Sequence, residues 1–84
     1  MWSEFETRFQ DIYGDFYKRL NEKFPDLTPN ELKLSAFLKL NMTTKEISAI
    51  TYQSTETLKT ARHRLRKKLG LNREENLVAF LNQI

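Results

Sequence analysis

TTKEISAITYQSTETLKTARHRLRKKLG, residues Thr43 to Gly70, is the stretch that decides the fold. Thr43 and Glu46 stand three residues apart, the spacing of a capping box in which hydroxyl and carboxylate each accept a backbone N–H at a helix start. A short helix carrying Ile47 and Ile50 is expected there, followed by a tight connection at Thr51-Tyr52-Gln53. Ser54 suits the cap of a second helix, and Gly70 its left-handed stop. At about 100° per residue, Leu58, Ala61, Leu65 and Leu69 share one side of that helix. Glu56, Thr60, His63 and Lys67 lie opposite, with Lys59 and Arg66 on one edge and Arg64 on the other. Arg62 falls near the apolar stripe, where its stem is expected to lie along the core edge.

Charge is just as local. From Thr55 to Gly70, Lys59, Arg62, Arg64, Arg66, Lys67 and Lys68 face one acid, Glu56, which makes +5. The remainder sums to −2: five acids and four bases to Phe24, three and three from Pro25 to Ser54, two and one from Leu71 on. The formal net charge of +3 therefore comes from one patch, the electrostatic footprint of a protein that grips a polyanion.

Outward from this stretch, Thr28-Pro29-Asn30-Glu31 is a second capping box with proline at the first helical position. The helix it opens is expected to carry Leu32, Ala36, Phe37 and Leu40 and to close on a left-handed Asn41. Before it, Trp2, Phe5, Phe9, Ile12, Tyr13, Phe16, Tyr17, Leu20 and Phe24 recur every three or four residues, one wide stripe of an amphipathic helix ended by Pro25. That stripe reads as core packing against the remainder, or as a helix–helix dimer or coiled-coil continuation. Gly14 inside it marks a weak point or a close approach to a neighbour. After Gly70, Asn72 is expected to cap a last helix with Leu77, Val78, Leu81 and Ile84 on one side. The expected class is all α: five helices in 84 residues, with an N-terminal amphipathic element over 1–26 and a four-helix unit over 27–84. Two glycines, two prolines and no sustained period-two pattern argue against a many-stranded fold. A chain this short buries about 60–65% of its unfolded surface, enough for one small core.

The composition narrows function. No cysteine is present, and His63 is the only histidine, so a thiolate metal site, a catalytic triad and a bound cofactor are not expected. Glu74-Glu75 at a helix start answers to the macrodipole more simply than to acid–base catalysis. The start Met1-Trp2-Ser3-Glu4 is polar and acidic, and no apolar run approaches the roughly 20 residues of a membrane span, so a soluble cytoplasmic protein without membrane contact is expected.

A short helix, a turn of three or four residues and a longer helix with one buried stripe is the pattern of a helix-turn-helix, whose second helix enters the major groove of double-stranded DNA. The N-terminal half of the outward face, Glu56, Lys59, Thr60 and His63, offers hydrogen-bonding groups for base edges; Arg64, Arg66, Lys67 and Lys68 offer cations for phosphates. At these residues the chain resembles the LuxR-type (GerE-type) DNA-binding domain of bacterial transcription regulators. The resemblance covers Leu27 to Leu81, strongest at Leu27-Thr28-Pro29-Asn30-Glu31-Leu32, Thr44-Lys45-Glu46-Ile47-Ser48, Ser54-Thr55-Glu56-Thr57-Leu58-Lys59 and Lys67-Lys68-Leu69-Gly70. Asn41, Thr51, Gln53 and Ala61 depart from the family pattern.

The resemblance implies a recognition helix over about 55–69 and, with the outward face, a DNA-contact set of Lys45, Ser54, Thr55, Glu56, Lys59, Thr60, His63, Arg64, Arg66 and Lys67. It also implies a homodimer contact on the face of Leu77, Val78 and Leu81. The aromatic helix before Pro25 resembles a variant at the C-terminal end of large multidomain sensor-regulators, which implies upstream sensor or receiver domains in a longer parent, as in two-component signalling. A competing class is a helical protein-interaction or dimerisation module that uses the aromatic helix on a partner and whose basic helix binds nucleic acid only non-specifically.

Overall fold

Side-chain oxygens that take up free backbone N–H groups set where the helices start. The computed structural model describes residues 2–72 and 74–84, with the side chains of Trp2, Ser3, Phe5, Glu6 and Gln10 outside the description. Among these residues are five α-helices and no strand: α1 Trp2–Lys23, α2 Pro29–Lys39, α3 Thr44–Thr51, α4 Thr55–Lys68 and α5 Leu77–Asn82. Both capping boxes form. Thr28 N–H donates to Glu31 Oε1 at 2.8 Å and Glu31 N–H to Thr28 Oγ1 at 3.2 Å; the Thr43–Glu46 pair repeats this at 2.9 and 3.1 Å. Ser54 caps α4 by accepting Thr57 N–H at 3.1 Å.

Two helix ends share one physical solution. Asn41 takes φ 60° after α2 and Gly70 φ 74° after α4. In each, the next two N–H groups fold back onto carbonyls of the last turn: Asn41 to Leu38 and Met42 to Phe37, Gly70 to Lys67 and Leu71 to Arg66. This is the Schellman closure. Tyr52 ends α3 with φ 60°, and the connection to α4 is stapled by Ser48 Oγ donating to the Gln53 carbonyl and by Thr51 Oγ1 accepting Gln53 N–H at 3.4 Å.

Three readings change at the level of packing. Helix α2 has no single apolar face: Leu34, Ser35, Ala36, Phe37 and Leu38 are all buried, while Leu40 is exposed. A helix packed by α1, α4 and α5 on different sides has no solvent stripe to give it a period. Ser35 is tolerated because its hydroxyl donates to the Glu31 carbonyl at 2.8 Å. On α3 only Ile47 is buried; Ile50 is exposed, and the half-buried residue one turn beyond Ile47 is Thr51. The last helix is capped by Asn76, whose Oδ1 accepts Ala79 N–H at 2.9 Å, and not by Asn72.

Helix α1 is kinked at Tyr13, with φ −123° and ψ 36°, one residue before Gly14. A methyl group at Gly14 would meet nothing within 4 Å, so the glycine marks the weak point and no close approach. Phe9, Phe16 and Leu20 join the leucines of α2, α4 and α5 in one buried cluster, Phe24 meets Phe80 in a tilted contact with ring centroids 6.0 Å apart, and Arg19 Nη1 donates to the Ile84 carbonyl at 3.1 Å. Lys39 Nζ lies 5.5 Å from the Phe16 ring and 5.9 Å from Tyr13, which ties the end of α2 to the kink. Ile12, expected on the stripe, is exposed beside that kink; Trp2 and Phe5 of the same stripe have their side chains outside the description. The radius of gyration is 12.1 Å, that of one compact unit.

The face expected to carry a dimer contact is largely internal to the chain. Leu77 is 1% exposed and Leu81 fully buried within the chain itself, and only Val78 retains partial exposure.

Candidate nucleic-acid interface

Leu58 and Leu65, with Leu69 at the C-cap, are the buried side of α4, which packs against α3 and α2, and their burial fixes the helix rotation. Glu56, Lys59, Thr60, His63, Arg64 and Lys67 are consequently exposed, as is Lys45 on α3.

Several members of the expected set, exposed ones included, also make internal hydrogen bonds. The Ser54 hydroxyl accepts Thr57 N–H and donates to Thr57 Oγ1 at 2.8 Å, and Thr55 is half-buried. Thr60 Oγ1 donates to the Glu56 carbonyl at 3.2 Å. Arg66 is half-buried, with Nη1 donating to the Glu75 carbonyl and, at 3.5 Å, to that of Asn72. Lys68, which the sequence groups with the phosphate-gripping cations, instead crosses to α2: its Nζ lies 2.7 Å from Glu31 Oε1 and 3.1 Å from the Asp26 carbonyl. This partner lies 37 positions away, so nothing local in the run announces it.

The Lys68–Glu31 pair has a consequence for pH. Burial pushes the Glu31 carboxyl up, but hydrogen bonds from Lys68 and from the Thr28 N–H and hydroxyl, with the Lys68 charge, hold it below its ordinary 4.5. A carboxylate harder to protonate in the folded chain than in the unfolded one contributes stability that is complete above pH 4.5 and lost as pH falls through the lower folded value. Glu31→Gln should therefore lower the melting temperature at about pH 7 and make its decline below pH 4.5 shallower than in wild type. Parallel acid declines for the two proteins would show that the pair carries no such linkage.

The sequence reading leaves out a groove beside the start of α3. Thr44, Lys59, Arg62, His63 and Arg66 line an open depression of about 400 Å³, in which Arg62 Nη1 donates to Thr44 Oγ1 at 3.4 Å. Arg62 lies half-buried along the core edge, as its position on the helix suggests, yet its head points into this groove. Burial, and after it the neighbouring Arg66 charge, pushes its guanidinium down from the ordinary value. The spacing 59, 62, 63, 66 was the signal available in the sequence, since these positions share one helix face. Among the described residues no three His, Asp or Glu side chains group as metal ligands would, and no helix is long and apolar enough to cross a membrane. No protein-family model, curated protein or solved structure matches the chain significantly.

Proposed function

We propose that the chain is a sequence-specific double-stranded DNA-binding domain of helix-turn-helix type, the effector part of a bacterial transcription regulator, with α3 as support and α4 as reading helix. The observation that carries this reading is the division of α4: a buried side of Leu58, Leu65 and Leu69, and an exposed side whose first half holds Glu56, Lys59, Thr60 and His63 and whose second half holds Arg64 and Lys67. Hydrogen-bonding groups toward the N-terminus and cations toward the C-terminus suit base edges and phosphates respectively. The connection Tyr52-Gln53-Ser54, tied back to α3 by Ser48 and Thr51, lies between the packed α3 and α4 where such a motif turns. The LuxR-type resemblance of residues 27–81 supplies the regulatory context.

Selection of bound sequences from a random duplex pool tests the reading. Recovery of one short shared motif is expected. A pool that binds at low salt yet yields no motif would leave only non-specific gripping of nucleic acid and favour the interaction-module account.

A further inference from the structure

Lys59, Arg62, His63 and Arg66 stand at i, i+3, i+4 and i+7 of α4, so three cations and an imidazole share one helix face. The start of α3 closes one side of that face and makes it a groove. Like charges at these spacings repel and weaken the helix that carries them. Among the described residues the ion pairs are Arg19–Asp15 and Lys68–Glu31, which include none of the four, and the groove lining contains no carboxylate. Arg62 is half-buried besides, and a desolvated guanidinium without a counter-charge is costly unless an anion completes it.

The two arginines are also held in place. Arg62 rests on the Thr44 hydroxyl at 3.4 Å, and Arg66 is anchored through Nη1 on the carbonyls of Glu75 and Asn72. A guanidinium has five N–H donors, so each retains donors beyond those contacts. We infer that this groove seats a single phosphate group, with Arg62 and Arg66 as forked donors, Lys59 as a point charge and the Thr44 hydroxyl as a further donor. A backbone phosphodiester of duplex DNA is one source of that group, and this part rests on the proposed DNA binding. A free phosphate ion is the other source of the same chemistry.

Titration of the full chain with inorganic phosphate, at ionic strength held constant with sodium chloride and followed by NMR, tests the seat. Saturable shifts are expected at the Thr44 amide and the Arg62 and Arg66 side-chain N–H groups. They should be lost in Arg62→Gln and kept in Lys18→Gln, on the exposed face of α1. A melt accompanies Arg62→Gln, and Lys59→Gln, at an exposed position, must show the same loss if the first variant is unfolded. On labelled duplex, Arg62→Gln should weaken binding roughly tenfold on a selected and a scrambled sequence alike. Saturable phosphate shifts with unchanged duplex affinity would assign the seat to a free phosphate. Saturable shifts in a chain that binds no duplex would keep the seat and remove the DNA-binding reading. Shifts that sodium chloride reproduces, with wild-type duplex affinity in the variants, would overturn the seat and leave DNA binding standing.

Discussion

Leu58→Asp abolishes cooperative thermal unfolding of the chain. Leu58 is 2% exposed at the head of the buried side of α4. Removing its side chain costs about 2–5 kcal/mol through lost transfer energy and the cavity left behind. The new carboxylate would be desolvated among leucines, which raises the loss to roughly 4 kcal/mol or more. A domain of this size has a total stability of only about 4–13 kcal/mol, so most of the margin disappears. Circular dichroism melting should show a broad, low transition for Leu58→Asp. Thr60→Asp, on the exposed side, should stay near wild type. An unchanged melt for Leu58→Asp would mean that α4 is rotated differently, and every assignment of its outward face would fall with it.

The second large effect is on binding. Lys45, Lys59, Arg64 and Lys67 are exposed, and Arg62 and Arg66 sit in the groove, whereas Lys68 is held by Glu31. Neutralising about four to five phosphates gives a slope of log K against log salt of roughly −3.6 to −4.5. Between about 50 and 200 mM salt that is a roughly 150- to 500-fold loss of affinity. Fluorescence anisotropy measures it directly. The structure adds a contrast absent from composition alone: Lys67→Ala should lower the slope by about one unit, and its neighbour Lys68→Ala should leave it unchanged. Equal effects of the two substitutions would show that Lys68 leaves Glu31 to join the interface.

What could be read from the sequence was what local chemistry decides. The threonine caps, the left-handed Asn41 and Gly70 and the rotation of α4 depend on residues within a turn or two of each other. Asn72 shows the limit of that logic. Asn72 and Glu75 do form the reciprocal bonds of a capping box, at 3.1 and 3.3 Å, but the helix begins only at Leu77, where Asn76 caps and Leu77 and Leu81 find the core. A cap can close without a helix when the next turn has nothing to bury. Tertiary neighbours decided the rest: the burial of α2 on several sides, the exchange of Ile50 for Thr51, and the capture of Lys68 by a residue 37 positions away. The groove needed both kinds of information, since the basic face is visible in the sequence and the wall supplied by Thr44 is not.

Base reading by α4 is tested most directly by the affinities of wild type, Thr60→Ala, His63→Ala and Lys67→Ala on a selected duplex and on a scrambled one. Thr60 and His63 leave the exposed N-terminal half of the helix, and Lys67 lies a turn further along. Thr60→Ala and His63→Ala should each cost about 1–3 kcal/mol on the selected site and almost nothing on the scrambled one, while Lys67→Ala weakens both alike. Equal losses on the two duplexes for Thr60→Ala and His63→Ala would contradict base reading by this helix.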